Sequence, residues 1–260
     1  MTEWNASGYH EQSSLQRCLA GEHLAALHLT GGERVLDVGC GDGAITAAIA
    51  DRLPRGSILG VDPSTQMIAY ATEHSRRVNL GFAVGDARTL PYRDQFDLVV
   101  SFNALHWVPE QAAALRAIHR SVRPGGRAFL ELVPEGERTC LEDVIEDTCR
   151  SPRWTRHFAD HRPPYVHFHP GDYRRVAEEA GFRVERLATE QKRWDFGSRD
   201  GFVAFARVTF VEWTRRLPES DRLAFIGDVL DAYARLDGGG AGAPRVFAFY
   251  QMEVELSRPG

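Results

Sequence analysis

The sequence predicts an α/β protein with a doubly wound, mainly parallel seven-stranded sheet and helical cap insertions. Three observations predict this fold class. Short apolar runs of strand length alternate with segments of helical periodicity from residue 34 onward. A glycine-rich turn, VGCGDG at 38–43, joins the first predicted strand to the first core helix. Aspartates end the next two strands, at the sheet edge where doubly wound folds bind ligands.

The first half of the chain alternates strands and helices. An amphipathic lead ends near Leu29, where Thr30-Gly31-Gly32 breaks the helical pattern. An Asp-Pro-Ser capping signal opens the helix at 64–75. This alternation implies crossover connections and a parallel sheet covered on both faces. The predicted elements are strands 34–38, 57–61, 80–84, 96–102 and 127–133, helices 44–53, 64–75 and 109–121, and a Pro-Gly-Gly turn at 124–126.

The second half interrupts this rhythm twice. Residues 135–170 are rich in charge, histidine and proline and contain no clear strand, which indicates a cap. A helix at 171–180 and strands at 183–194 and 245–256 complete the sheet, with a glycine-rich loop at 237–243 before the last strand. We therefore divide the chain into a helical segment closing over the site (1–29), a cofactor-binding core (30–135), a cap insertion (136–170) and a C-terminal part (171–260) with a helical insertion (200–236).

Composition excludes some classes of function. With 260 residues and 43% hydrophobic content, the chain can bury one substantial core with insertions. A net charge of -5 argues against nucleic acid as the main partner, because phosphate binding needs excess Lys and Arg. The four cysteines form no C-x-x-C pair, which is typical of a reduced chain. No leader peptide or membrane span is apparent, so we expect a cytoplasmic protein without a membrane partner.

The glycine-rich turn indicates a cofactor site. Glycine lets the backbone approach a ligand, and the helix that follows offers free N–H groups at its start. The spacing is G-x-G-x-G, followed by Asp62, Asp86 and Arg-Pro-Gly-Gly at 123–126. Across roughly residues 30–135 this arrangement resembles the class I S-adenosylmethionine-dependent methyltransferases. The resemblance implies a Rossmann-like fold and S-adenosylmethionine as the cofactor.

The resemblance also assigns cofactor contacts. Asp62 would hold the ribose diol and Asp86 the adenine amino group, although both could simply be turn carboxylates at strand ends. The glycines that would lie against the methionine and ribose parts are Gly39, Gly41 and Gly43. The remaining positions expected on the cofactor side are Tyr9, Ser13, Asp37, Ala87 and Asn103.

Two further stretches suggest the methyl acceptor. YHEQSSLQ at 9–16 and SFNALHWV at 101–108 are similar to segments of plant salicylate- and jasmonate-type carboxyl methyltransferases and of juvenile hormone acid methyltransferases. In those families a Gln and a Trp hold the substrate carboxylate, which implies that Gln16 and Trp107 do so here. Similarity to trans-aconitate methyltransferases is weaker. Without the pairing, YHEQSSLQ would be only a solvated helix start.

These residue types suit carboxyl methylation. An amide NH2 and an indole N–H can orient a carboxylate without removing a proton. A carboxylate is already ionised at neutral pH and needs no general base. We therefore expect an O-methyltransferase acting on a small, mostly apolar acid, whether fatty, terpenoid or aromatic. The alternatives are a phenol or amine methyltransferase with His106 as base, or a cofactor-binding regulator without turnover.

Other features leave alternatives open. His106 could be a base, a substrate contact or a structural residue. The helically spaced aromatics could line an acceptor pocket or simply form core; they are Phe202, Phe205, Phe210 and Trp213. Histidines at 157, 161, 167 and 169 could suggest zinc, but HExxH is missing and Pro163-Pro164 interrupts the stretch, so no metal is expected. We expect a monomer or homodimer.

Overall fold

A seven-stranded sheet dominates the computed structural model, which describes residues 14–236 and 245–260 apart from some side chains near the start of the first helix. Along the described chain the strands are β1 (Arg34–Val38), β2 (Ser57–Asp62), β3 (Leu80–Val84), β4 (Phe96–Phe102), β5 (Val122–Leu132), β6 (Arg183–Asp195) and β7 (Val246–Ser257). Their order in the sheet is β3-β2-β1-β4-β5-β7-β6.

The sheet is mainly parallel, as the sequence predicts. Strands β1 to β5 pair in parallel, and β7 runs antiparallel between β5 and β6. The chain leaves β1 toward β2 on one side, while β4 lies on the other side of β1. Such a reversal of strand order opens a crevice at the carboxyl ends of the two central strands, where open α/β sheets bind their ligands.

The described helices cover both faces of the sheet and build the cap. They are α1 (Ser14–Ala26), α2 (Ala44–Ala50), α3 (Thr65–His74), α4 (Gln111–Ser121), α5 (Leu141–Arg150), α6 (Pro170–Glu179), α7 (Arg199–Thr209), α8 (Val211–Thr214) and α9 (Glu219–Leu236). Short 3₁₀ helices span Ala87–Thr89, Leu105–Trp107 and Thr155–His157. Across the described part of the chain, every helix is too short or too polar to span a bilayer.

Two predicted core elements differ from the structure by three residues or more at one boundary. The helix predicted at 44–53 ends at Ala50, because the chain then forms turns in which Arg52 N donates to Ile49 O and Leu53 N to Ala50 O. The Pro-Gly-Gly turn at 124–126 lies within β5 and not before it. Gly125 has a φ of 75°, and the β4–β5 register shifts between Phe96 and Leu98. The glycine therefore forms an irregularity in a continuing strand.

The two faces of the sheet bury separate apolar clusters. One cluster packs β1, β4 and β5 against α4 and α6, with Leu115, Ile118 and Tyr173 fully buried. The other packs the opposite face against α2 and the chain after α1, with Ile49 and Leu53 at its centre. These residues recur at helical spacing, so each helix places one apolar stripe on the sheet.

The cap forms a third apolar cluster of its own. It joins α5, α7 and α9 to Leu15 and Leu19 of α1 and to the start of β7. Phe202 and Phe205 are buried here, with ring centroids 4.9 Å from that of Phe196. These contacts favour the core alternative for both phenylalanines. Since α1 packs on this cluster, the N-terminal helix is held against the cap.

A buried carboxylate ties the cap together. Glu146 of α5 is 5% exposed, and its Oε1 accepts hydrogen bonds from Trp213 Nε1 at 2.7 Å and His161 Nε2 at 2.8 Å. Trp213 and His161, from two other segments of the cap, thus share one acceptor on α5. A buried polar group is stable only when its hydrogen bonds are made, so each donor depends on Glu146.

We expect Glu146→Ala to lower the free energy of unfolding by about 1–3 kcal/mol, because it leaves buried donors of Trp213 and His161 without an acceptor. Urea denaturation measures the change. Glu178→Ala is the matched control, since Glu178 makes an exposed i,i+4 pair with Arg174 at 3.7 Å and should cost little. Equal effects of the two substitutions would show that the buried network does not stabilise the cap.

Candidate functional site

The loops after β1 and β4 meet at the crevice. Gly39 has a φ of 80°, and a Cβ placed on it would lie 2.2 Å from the Cβ of Ala104. Its N–H and that of Cys40 both donate to Val61 O, at 2.8 and 3.1 Å. Only glycine satisfies both the backbone conformation and the close approach. Gly39 therefore sets how closely the two central loops pack.

Asp62 holds the glycine turn in place. As the last residue of β2 it accepts from Gly41 N at 3.1 Å through Oδ2 and from Ser64 N at 2.9 Å through Oδ1. Gly41 has a φ of 52° and open space where a Cβ would project. Gly43, with a φ of 79°, packs against Phe82 and Ala71. Of the three glycines, Gly41 is the one that leaves room for a ligand.

Asp37 lies beneath the turn as a buried acid. It is 1% exposed, and its Oδ2 accepts from Thr46 Oγ1 at 2.7 Å. Its Oδ1 has no hydrogen-bond partner among the described residues. Burial raises the pKa of Asp37 to about 7; the Thr46 hydrogen bond opposes the rise and the negative charge of Asp62 adds to it. An unsatisfied buried acceptor of this kind suits a cationic or donor ligand.

Asp86 is engaged by a neighbouring arginine. Arg88 donates to both carboxylate oxygens of Asp86 at 2.6 to 3.1 Å and to Glu110 at 2.9 Å. The Arg88 hydrogen bonds lower the pKa of Asp86, although partial burial opposes them. Asp86 also caps the 3₁₀ helix that begins at the buried Ala87. The carboxylate thus stays ionised at the edge of the crevice.

Asn103 is positioned by two residues that sequence reasoning missed. It has a φ of 52°, and its N–H donates to Glu131 O at 2.8 Å. The buried Gln251 donates from Nε2 to Glu131 Oε2 at 2.7 Å and to Asn103 Oδ1 at 3.4 Å. The sequence signal for both was a polar residue between two apolar or aromatic neighbours: Glu131 lies between Leu130 and Leu132, and Gln251 lies between Tyr250 and Met252. These contacts orient the Asn103 side chain at the end of β4.

Trp107 lies in an aromatic cluster between the crevice and the cap. Its ring centroid is 5.9 Å from that of Trp213, 6.4 Å from that of Tyr165 and 5.3 Å from that of His106. It is half-buried, and its 3₁₀ helix begins directly after Ala104, the residue that touches Gly39. Trp107 is thus joined through the β4 loop to the glycine turn.

His106 is buried as a neutral imidazole. It is 4% exposed, and Val133 N donates to its Nδ1 at 3.4 Å. Burial, with a smaller effect of nearby His167, lowers the pKa of His106 to about 3. Its backbone oxygen accepts from Val166 N at 2.8 Å, which ties it to the cap. Both backbone and ring are therefore held by the fold.

The structure gathers most of the predicted site residues at one edge of the sheet. The residues of the glycine turn lie at the ends of β1 and β2, and Asp86 follows β3. Asn103, His106 and Trp107 follow β4. Tyr9, Ser13 and the side chain of Gln16 lie outside what the structure describes, although the backbone of residue 16 belongs to α1. The roles of all these residues stay predictions.

Comparisons with known proteins fit this arrangement. The model of the family "Methyltransferase domain" matches residues 36–130. Trans-aconitate 2-methyltransferase of Methylobacterium radiotolerans is 33% identical over 250 residues, covering 92% of this chain and 90% of that protein. Juvenile hormone acid O-methyltransferase of Bombyx mori is 32% identical over 161 residues, 58% of this chain and 56% of that protein. The YcgJ protein of Bacillus subtilis has the same fold, with a TM-score of 0.64 at 17% identity over 94% of this chain and 99% of that chain.

Gly39→Ala should destabilise the protein more than Gly41→Ala. Both substitutions place a side chain at positive φ, at a cost of about 1–2 kcal/mol. Gly39→Ala adds a collision with Ala104, worth about 1–3 kcal/mol more. Urea denaturation of the two variants measures the difference. The double variant Gly39→Ala/Ala104→Gly should recover part of the loss, and no recovery would mean that this contact does not limit the approach of the loops.

Asp37 should make stability fall as pH rises. Its folded pKa of about 7 lies above the ordinary aspartate value of 3.8, so the folded state holds the proton more tightly. The stabilisation that this raised pKa contributes is greatest below about pH 4 and is lost as the pH rises to about 7. The effect of Asp37→Asn is the free energy of unfolding of the variant minus that of wild type. This difference should be more favourable at pH 8 than at pH 5 by on the order of 3 kcal/mol. Urea unfolding at both pH values measures this; a gain that is the same at both would contradict the raised pKa.

Proposed function

Because the chain belongs to the class I S-adenosylmethionine-dependent methyltransferases, we propose that it methylates the carboxylate of a small, mostly apolar acid. The position of Trp107 carries this proposal. Trp107 follows β4 at the crevice end of the sheet and its ring contacts those of Tyr165 and Trp213 in the cap, which would let its indole N–H donate to a carboxylate bound there. An acid bound between the β4 loop and the cap would have its carboxylate at the crevice and its apolar part in the cap.

The residues around the glycine turn fit the cofactor. The buried Asp37 Oδ1 without a partner suits a cationic group, and the open space at Gly41 lets a ligand approach the backbone. Asp62 presents a carboxylate at the end of β2, the place where ribose hydroxyls are bound in this fold class. When bound, S-adenosylmethionine supplies an electrophilic methyl group on a sulfonium.

The acceptor needs orientation more than activation. An ionised carboxylate has a reactive oxygen at neutral pH without losing a proton. Trp107, together with Gln16 from α1, would fix that oxygen by N–H donation, and positioning accounts for much of the rate of such reactions. The packing of α1 on the cap cluster through Leu15 and Leu19 supports this role, because it brings the first helix to the cap.

The state of His106 supports a carboxylate over a phenol or amine. A general base works best when its pKa lies near the working pH. Burial holds the pKa of His106 at about 3, and Val133 N occupies the Nδ1 lone pair. Such an imidazole is a poor proton acceptor at neutral pH. His106 better serves as a fixed polar wall beside Trp107.

The names of the relatives support a carboxylic acid as the substrate, but the two acids that they name differ in the part that carries the carboxylate. One is named for trans-aconitate and the other for juvenile hormone acid. Here the surroundings of Trp107 are aromatic, with the rings of Tyr165 and Trp213 next to it. A cluster of aromatic rings favours a substrate whose remaining part is apolar, because it solvates additional carboxylates poorly. We therefore place aliphatic, terpenoid and aromatic acids before tricarboxylates.

A panel of free acids tests the proposal. Aliphatic, terpenoid, aromatic and tricarboxylic acids are incubated with methyl-labelled S-adenosylmethionine, beside phenols and amines of matched size, and methyl esters are sought in the organic extract. We expect esters from monocarboxylic apolar acids and no fall in kcat between pH 8 and pH 6. Turnover of the phenols or amines with a steep loss near pH 6–7 would favour a histidine base. Binding of S-adenosylhomocysteine without any product would favour a regulator.

Gln16→Ala and Trp107→Phe should each lower kcat/KM for the best acid by about ten- to a hundredfold, roughly 1.5–3 kcal/mol for one hydrogen bond to a charged group. Trp107→Phe removes the N–H and keeps most of the ring. Calorimetry should find S-adenosylhomocysteine affinity nearly unchanged in both variants, because the proposal assigns both side chains to the acceptor and not to the cofactor.

Trp154→Phe is the matched control for these substitutions. It removes an indole N–H that donates to Asp228 of α9 at 2.8 Å. This contact lies in the cap and not at the crevice. Its kcat/KM should stay near the wild-type value. If Gln16→Ala and Trp107→Phe also keep wild-type rates, the two residues do not hold the carboxylate.

A further inference from the structure

We propose that Cys140, Glu142 and His167 bind a zinc ion in the cap. Each residue offers one ligand atom, and these atoms all lie within 4.8 Å of one another. A thiolate, an imidazole and a carboxylate are the ligand types that Zn²⁺ binds, and three protein ligands leave a fourth position for water. This site is separate from the glycine turn, and its existence does not depend on which acid is methylated.

The separation of two ligand atoms matches a tetrahedral site. Cys140 Sγ lies 3.6 Å from His167 Nδ1. Zinc bonds of about 2.3 Å to sulfur and about 2.0 Å to nitrogen, at a tetrahedral angle, separate the two ligand atoms by about 3.5 Å. Cys140 and His167 therefore need almost no movement. Glu142 has a flexible side chain, and a small rotation would bring its carboxylate to the same distance.

The charges around the cluster favour a cation. Besides Glu142, the carboxylates of Asp143 and Glu135 lie close enough to act on His167 electrostatically. Glu142 and Asp143 act in the same way on the Cys140 thiol. All three carboxylates thus act on the half-buried His167, and two of them also act on the half-buried Cys140. A divalent ion would neutralise this field and stabilise the thiolate.

The surrounding structure holds the ligands in place. Asp143 N donates to Cys140 Sγ at 3.4 Å, an N–H···S contact that a metal-bound thiolate strengthens. The His167 ring lies against Tyr165, with centroids 4.6 Å apart. On both sides of His167 the backbone is tied down, because Val166 N donates to His106 O and Glu135 N to Phe168 O. Bound zinc would connect the start of α5 to the segment behind His106.

This proposal departs from the expectation that the chain binds no metal. That expectation rested on the missing HExxH spacing and on Pro163-Pro164, and it did not include Cys140. Cys140 and His167 are 27 positions apart, and the fold brings them together across the cap. The competing explanation is a thiol–imidazole hydrogen bond without metal, which the same 3.6 Å distance also allows.

Metal titration of the untagged 260-residue chain tests the site. Apo protein prepared with chelator is titrated with ZnCl2 against a chromophoric competitor, and with CoCl2 by absorption spectroscopy. We expect one zinc ion per chain at micromolar or tighter affinity. Cobalt should give the intense thiolate charge-transfer band and the visible spectrum of a tetrahedral site. Absence of stoichiometric zinc uptake, or a cobalt spectrum without the thiolate band, overturns the proposal.

Matched variants assign the ligands. Cys140→Ser keeps an oxygen that can cap α5 but lacks the thiolate, and His167→Gln removes the imidazole. Each should weaken zinc binding by about a hundredfold or more. Cys149→Ala is the control, since that buried thiol lies at the other end of α5 and should leave zinc affinity unchanged. Equal affinity in wild type, Cys140→Ser and His167→Gln overturns the assignment, and circular dichroism shows that each variant is folded.

Discussion

The β1 loop and the β4 loop pack against each other closely, and this contact positions both halves of the candidate site. Gly39 and Ala104 meet where the strand order reverses, and any side chain on Gly39 would push the loops apart. Because Asn103 directly precedes Ala104 and the 3₁₀ helix that carries Trp107 directly follows it, that contact also fixes where these two residues lie relative to the glycine turn. One missing Cβ thus sets the distance between the two halves of the candidate site.

Buried polar contacts organise the cap. Glu146 connects α5 to Trp213 and His161, and Trp213 contacts Trp107 in turn. The cap network is therefore connected to Trp107 through one ring. His167, one of the proposed zinc ligands, contacts Tyr165, whose ring also contacts that of Trp107. Polar contacts of this kind specify one packing of aromatic rings that apolar contacts alone would leave less defined.

Burial reduces the charge inside the site. It raises the pKa of Asp37 to about 7, so this acid is only partly ionised at neutral pH, and it lowers the pKa of His106 to about 3, so the imidazole is neutral. The charged carboxylates Asp62 and Asp86 lie instead at the edge, where backbone N–H groups or Arg88 stabilise them. A cationic ligand and an anionic acceptor entering such a site would meet each other with little competition from water.

The sequence by itself determined the fold class, the strands within a residue or two for most of the sheet, and the position of the glycine turn. These are local properties: apolar periodicity, strand-ending aspartates and glycine spacing are fixed over ten residues or fewer. Only the tertiary structure decided that Phe202 and Phe205 pack as core, that Gln251 and Glu131 orient Asn103, that His106 is neutral, and that Cys140 meets His167. Each of these depends on residues far apart in the chain and on burial, and burial is set by the packing of the whole domain, which local pattern does not encode.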